Sequence, residues 1–207
     1  MDVFYSVLLV LCAFWLGACP FSIWIGRWVL GKDIRDYGDG NPGAANVFRA
    51  GGRRSGWLAV VLDTAKGVPF VALAHTLFGF SEVIVILVAL SAILGHAFSP
   101  LIGFKGGKSV AVTFGVLFAL PQPEMLIAFT AFILLGFLFM EIDAWTVMLG
   151  PAGSLAYLMA TRGNSVESMF MLCVLVIFGI KHFEELQTVP RLSARRIHWL
   201  QSKRRQI

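Results

Sequence analysis

Residues 82–103 read EVIVILVALSAILGHAFSPLIG, and this stretch decides the fold class. In its 22 positions the titratable side chains are Glu82 at the start and His96 toward the end. A bilayer crossing needs roughly 17–25 predominantly apolar residues in a helix. The run is long enough and apolar enough to cross, so it reads as a membrane helix.

Six more apolar runs lie outward from it, at about residues 3–30, 56–80, 109–120, 125–140, 144–160 and 166–180. The run SVAVTFGVLFAL at 109–120 is short for a crossing and is followed by PQPE. It is expected to tilt into its flanks or to be partly re-entrant. Composition agrees with membrane residence. Hydrophobic residues make up 57% of the 207 and charged residues 14%, with mean hydropathy +0.78, against about half and a quarter in soluble domains. The LGAC at Leu16–Cys19 imitates a lipoprotein cleavage box, but Asp2 and the lack of Lys or Arg before it leave no basic n-region. A first membrane helix is expected there instead. Cys12, Cys19 and Cys173 fall in apolar runs with no metal-ligand spacing and read as small buried hydrophobes. The fold class expected is an all-α polytopic membrane protein of about seven transmembrane helices, one domain over residues 1–207, without internal repeats.

Charge orients it. Fifteen of the 17 basic residues fall on one side: Arg27 at the end of the first run, and the others between the first and second runs, between the third and fourth, or after the seventh. Arg162 alone falls on the opposite side, and Lys66 lies within a run. Basic residues favour the cytoplasm, which predicts an odd number of crossings with the N-terminus outside and the C-terminus inside. The basic tail at 190–207 carries Leu192, Ile197, Trp199 and Leu200 and reads either as a strip on the anionic leaflet or as a solvated topology signal. Net charge is +5 and the pI near 9.4. In so apolar a chain this excess suits lipid headgroups or phosphorylated substrates, and nucleic acid is not expected as a partner.

That topology gathers three polar segments on one face: DIRDYGDGNPGAANVFRAGG (33–52), GHAFSPLIGFKGGKSV (95–110) and KHFEEL (181–186). In the first, Asn41 is expected to cap a helix begun by Pro42, with Asn46 and Arg49 sharing one face three residues apart. Gly38, Gly40 and Gly43 would let a ligand approach the backbone, and Arg49 can grip a phosphate with two parallel hydrogen bonds. A basic inner loop of ordinary turn residues is the alternative. In the second segment, GGKS lacks the glycine that a P-loop requires, since Ile102 stands there. What remains is Lys105-Gly106-Gly107-Lys108, able to hold phosphate by charge and backbone N–H groups. His96 can serve as base, phosphate donor or packing residue. Asp63 and Lys66, an i, i+3 pair inside the second run, read as a structural ion pair. Glu141 and Asp143 read as interfacial acids, and His75 as structural.

Together these residues resemble the membrane acyl-phosphate:glycerol-3-phosphate acyltransferases of bacteria. The resemblance runs over essentially the whole chain and rests on DIR…GNPGAANVFRAGG, LDTAKG, LGH…GFKGGKSVA and the closing His182…Glu185. It implies acyl transfer from an acyl-phosphate to glycerol-3-phosphate, giving lysophosphatidate for phospholipid synthesis at the inner membrane, with no cofactor or metal. It implies catalytic roles for His96, Lys108 and His182. Asn41, Gly43, Asn46, Arg49, Lys105, Gly106 and Gly107 would bind substrate phosphate. The chain departs from the family's usual pattern in having Asp39 for Ser, Ala45 for Thr, Ser109 for Gly and Glu185 for Asn, Ser99 in place of a proline that comes one residue later at Pro100, and MEIDAW for a serine-rich stretch. Two alternatives stand beside this reading. One is a divergent relative that acylates another alcohol or binds anionic lipid without catalysis. The other is a small transporter, against which the polar groups gather at one face and not at the midplane. Acyl-chain preference and oligomeric state have no signal in the sequence.

Overall fold

The computed structural model describes residues 2–141 and 143–190. The basic tail lies almost wholly outside the described residues. All seven apolar runs are helical, and the breaks between and within them are where the polar groups collect.

The chain divides into two compact units, Met1–Pro123 and Glu124–Ile207. In the first, helix α1 (Asp2–Ala18) stops before Pro20, and α2 (Phe21–Val29) restarts beyond it. Proline has no N–H to donate and clashes with the preceding turn, so the helix cannot run through. A short α3 (Ala44–Arg49) follows the glycine-rich loop. Helix α4 (Arg53–Ala65) leads through Lys66-Gly67-Val68 into α5 (Pro69–Ala72), which widens into a π turn over Leu73–Leu77. Helix α6 (Glu82–Ala97) is the run at 82–103 shortened by a 3₁₀ turn at Pro100–Ile102. Helix α7 (Val110–Ala119) keeps the brevity its sequence predicted.

Two crossings in this unit depend on glycine. A Cβ on Gly17 of α1 would strike the Ala92 carbonyl of α6, and one on Gly95 of α6 would strike the Phe14 carbonyl of α1. The same reciprocity joins the end of α4 and the turn after it to the first half of α7, where Gly67 abuts Val112 and Gly115 abuts Thr64. Apolar burial gains little in lipid, so close backbone contact through small residues is what holds such helices together. Ser91 adds a hydroxyl donated to the Val10 carbonyl at 3.0 Å.

The second unit holds α8 (Pro123–Phe139, its first residue shared with the unit boundary), α9 (Asp143–Arg162), α10 (Val166–Lys181) and the one-turn α11 (Phe183–Leu186). Phe129 and Phe178 meet edge-to-face at 6.2 Å in its interior. At one end Arg162 bridges Glu124 and Glu167, so the one basic residue set apart by the charge tally is neutralised where it stands.

Among the described residues three helical stretches are long and apolar enough to cross a membrane: Val3–Val29, Arg53–Leu77 and Glu82–Ile102. Val110–Ala119 and Pro123–Phe139 are shorter apolar helices.

Candidate active site

The glycine-rich loop is built over a core of its own. Ile34 and Val47 are fully buried with Ile23, Ile25, Ala50 and Ala59, a cluster that pins the loop to α2 and α4. Asp33 then ties its entry. Its carboxylate accepts from the Arg35 backbone N–H at 3.1 Å, from the Arg35 guanidinium at 2.9 and 2.6 Å, and from Arg27 at 3.2 Å. The Arg35 hydrogen bonds hold Asp33 far below the usual carboxylate range. Lys32 closes the far end by donating to the Ala50 carbonyl at 2.7 Å. A segment that composition describes as flexible is therefore a fixed scaffold.

Its cap differs from the sequence expectation. Gly43, not Asn41, is the N-cap of α3, and no side chain caps it. The reason is a competing use of Asn41. Its carbonyl accepts from the Gly43 N–H at 2.8 Å and from the Asn46 side-chain amide at 2.9 Å, which keeps residues 41–43 in a tight turn outside the helix.

Asn46 is fully buried and organises the polar cluster. Its amide donates to Asp39 Oδ1 at 2.8 Å, and its Oδ1 accepts from Arg49 Nη1 at 2.8 Å, as their shared helix face predicts. Asp39 also accepts from the Asn41 backbone N–H at 3.2 Å. Its other oxygen accepts from Lys108 Nζ at 2.6 Å, 69 residues away in sequence. Arg49 Nη1 lies 3.7 Å from Asp39. Burial resists the Asp39 charge, but Lys108 and the amide donors outweigh it and bring its pKa down to about 2.

The lysine loop owes its shape to two glycines and to two strained flanking residues, Phe104 at φ 62° and Ser109. A Cβ on Gly106 or Gly107 would collide with His96, its carbonyl in one case and its ring in the other. Gly107 instead donates its N–H to the His96 carbonyl at 3.0 Å. Ser109 sits at φ 64°, a left-handed conformation that suits glycine. Lys105 is exposed beside exposed Phe104.

Under both loops lies a buried group that sequence reasoning caught only in part. Lys66 Nζ and Asp63 Oδ1 are 2.8 Å apart, the ion pair expected. Ser22 donates its hydroxyl to Asp63 Oδ2 at 2.6 Å. His96 Nδ1 stands 4.0 Å from Asp63 Oδ1. Lys66 donates to the Cys19 carbonyl at 2.8 Å, and Ser99 to the Ala18 carbonyl at 2.6 Å. The break at Pro20 frees those carbonyls, and the polar side chains take them up. A small cavity lined by Pro42, Lys66, His96, Ser99, Ile102 and Gly107 opens among these residues. Ser22 gave no signal in the sequence beyond being polar two residues after Pro20, and Ser99 stood out only as the residue in the place of the family's usual proline.

His182 and Glu185 belong to the second unit. There His182 Nδ1 and Glu185 Oε2 are 3.0 Å apart, and the His182 ring packs near Phe178.

The glycerol-3-phosphate acyltransferase family profile matches residues 7–191. The chain belongs to this family. A glycerol-3-phosphate acyltransferase of Anaeromyxobacter dehalogenans is 35% identical over 190 residues, spanning 90% of this chain and 94% of its own. One from a Synechococcus strain is 39% identical over 156 residues, 75% of this chain and 76% of its own. The fold agrees with that of PlsY, an integral membrane glycerol 3-phosphate acyltransferase solved in its glycerol 3-phosphate form. Its TM-score is 0.80 and its identity 28%, with 88% of this chain and 90% of that one covered. The lysophosphatidic acid form of PlsY matches with TM-score 0.77, at 27% identity and the same coverage. The acyltransferase family thus accounts for the chain from its first apolar run to the edge of the basic tail.

Proposed function

We propose that this acyltransferase moves an acyl group from an acyl-phosphate to glycerol-3-phosphate, releasing inorganic phosphate and leaving lysophosphatidate in the membrane. The observation that carries the reading is the Asn46–Asp39–Lys108 network, which brings Arg49 of the GNPGAANVFR loop and Lys108 of the lysine loop to one carboxylate. Those two cations are the groups that a phosphate requires, and the family and both PlsY forms name the acceptor and the product.

In this reading Arg49, Lys108, Lys105 and the amide groups of Asn41, Asn46 and Gly106 hold phosphate, while the Gly107 N–H, already given to the His96 carbonyl, fixes the loop. A glycerol hydroxyl oxygen attacks the acyl carbonyl carbon, the bond from that carbon to the phosphate oxygen breaks, and phosphate leaves with the electron pair. The hydroxyl proton passes to His96 or to an oxygen of the departing phosphate. An acyl-phosphate is an activated mixed anhydride, so positioning and charge stabilisation supply most of the acceleration. We place the site on the cytoplasmic face of the bacterial inner membrane in a seven-span chain, N-terminus outside. Fifteen of 17 basic residues on one side support that orientation.

Purified protein in liposomes, given radiolabelled glycerol-3-phosphate with an acyl-phosphate, acyl-CoA or acyl carrier protein in turn, tests the reaction. Lysophosphatidate is expected with the acyl-phosphate alone. Product from another donor overturns the donor assignment, and no product from any donor overturns the reaction.

A further inference from the structure

Asp39 occupies the position in which a phosphate would be most at home. One of its oxygens accepts from the Lys108 ammonium at 2.6 Å. The other accepts from the Asn46 amide at 2.8 Å and the Asn41 backbone N–H at 3.2 Å, with the Arg49 guanidinium 3.7 Å away. An ammonium, a guanidinium, a carboxamide and a backbone N–H converging on two anionic oxygens form a donor set that a phosphate monoester would also satisfy. The carboxylate that fills it belongs to the protein.

The arrangement is accessible and exchangeable. The side chains of Asp39 and Lys108 are 31% and 21% exposed, so water can replace either partner as the pair opens. Asp39 stands between Gly38 at φ 60° and Gly40 at φ 70°, which gives the backbone on both sides conformations closed to most residues. A side chain at Gly38 would run into Asn46 and Arg49 at 2.5 and 2.7 Å, so glycine there is what lets the loop lie this close to the cluster.

We propose that the Asp39 carboxylate is a built-in occupant of the phosphate site, which an incoming phosphate displaces from Lys108 and Arg49, so that residue 39 sets the site's affinity for phosphate. The resting site is pre-ordered and partly neutralised by its own acid. A phosphate binds by exchange: Asp39 releases Lys108, and the phosphate, carrying more charge and more oxygens, takes the same donors. Asp39 thus raises the concentration of phosphate needed to fill the site and disfavours weaker anions. The ligand is a phosphate monoester or an acyl-phosphate, the two phosphates of the proposed reaction, and the proposal rests on that reading.

Asp39→Asn tests it. The variant keeps a side-chain oxygen for the Asn41 and Asn46 donors and removes the charge. Inorganic phosphate titrated into purified wild type and variant by calorimetry requires no catalysis. The dissociation constant is expected to fall about threefold to tenfold in the variant, the scale of a partly exposed ion pair together with relieved repulsion. Asp39→Ser, the family's usual residue, is a second variant expected to shift the same way. In steady-state assays, KM for whichever substrate phosphate displaces Asp39 falls with the dissociation constant. A fall for glycerol-3-phosphate assigns the site to the acceptor, and a fall for acyl-phosphate assigns it to the donor. Unchanged or weaker phosphate binding in both variants, with unchanged thermal stability, overturns the proposal. A wild type that binds phosphate but forms no lysophosphatidate overturns the acyl-transfer reading and leaves the Asp39 result standing.

Discussion

The first unit contains two aspartate–lysine pairs of nearly equal length in different surroundings. Asp63 and Lys66 are 2.8 Å apart, three residues apart on one helical segment, with side chains 3% and 1% exposed. Asp39 and Lys108 are 2.6 Å apart, joined across 69 residues between two loops, and both reach solvent. Bond length alone makes them equivalent; surroundings make them opposites. Removing one member of a buried pair strands a charge that water cannot reach, whereas an exposed pair can be replaced by water or another ion at small cost. The buried pair, with Ser22, Ser99 and the freed carbonyls of Ala18 and Cys19 around it, anchors the α1–α2 break against α4 and α6. The exposed pair is the one placed to serve chemistry. Depth, and not geometry, divides the two tasks.

The largest effect expected from this contrast is in the buried pair. Lys66→Met leaves Asp63 uncompensated and should lower stability by about 3–5 kcal/mol. Thermal unfolding in detergent measures it. The double variant Asp63→Asn with Lys66→Met removes both charges and should recover most of the loss. If the single variant is as stable as wild type, the division between a structural and a working pair collapses.

In the exposed pair, Lys108→Met should leave thermal stability near wild type and reduce turnover by about 10² to 10³-fold, the scale for losing one group that stabilises developing charge. Lys108→Arg keeps charge but not shape and should fall between. Full activity in Lys108→Met would remove the lysine from the site. Loss of stability matching that of Lys66→Met would show that both pairs are structural.

The same contrast explains what the sequence could and could not disclose. Helices were legible because each apolar run is local, and the short α7 was legible from its length alone. Asn46 with Arg49 was legible because a helix places residues three apart on one face. Asp63 with Lys66 was visible for the same reason, but their attachment to Ser22 and His96 was not. Those contacts depend on how α2, α4 and α6 meet, which follows from the α1–α6 crossing set by Gly17 and Gly95 against opposing carbonyls and from tertiary packing around it. Asn41 was misplaced as a cap because its type suits a helix start equally well from side chain or backbone. The competing claim on its carbonyl by Asn46 is a tertiary fact. Asp39 was recognisable as a departure, but only folding shows that Lys108 answers it.

A smaller effect is expected at the edge of the working pair. Ser109 follows Lys108 directly and holds φ 64°, where its Cβ crowds the backbone. Its hydroxyl reaches the Ile93 carbonyl only at 3.4 Å, a weak bond to set against that strain. Ser109→Gly should therefore raise stability by about 1 kcal/mol, the relieved strain being partly offset by greater freedom of the unfolded chain. Thermal unfolding checks the sign. A destabilised variant would mean that the hydroxyl, not the backbone, holds the start of α7 in place.

The smallest effect expected is an absence of change with pH, and it separates the two pairs without altering the buried one. Asp39 titrates at about 2 in the folded protein, below its ordinary 3.8. A depressed carboxylate contributes stability that is complete above its unfolded pKa and is lost as pH falls through its folded pKa. For Asp39 that window runs from about pH 4 down to about pH 2. From pH 5 to 9 the carboxylate is fully ionised, so its hold on Lys108 is constant. The ratio of sulfate affinities between Asp39→Asn and wild type, measured by titration at each pH, should then stay flat across that interval, because sulfate, unlike phosphate, stays a dianion throughout it. A ratio that drifts between pH 5 and 9 would mean that Asp39 gains or loses its proton where Lys108 should be holding it charged, and the exposed pair would no longer be the tie that the structure draws.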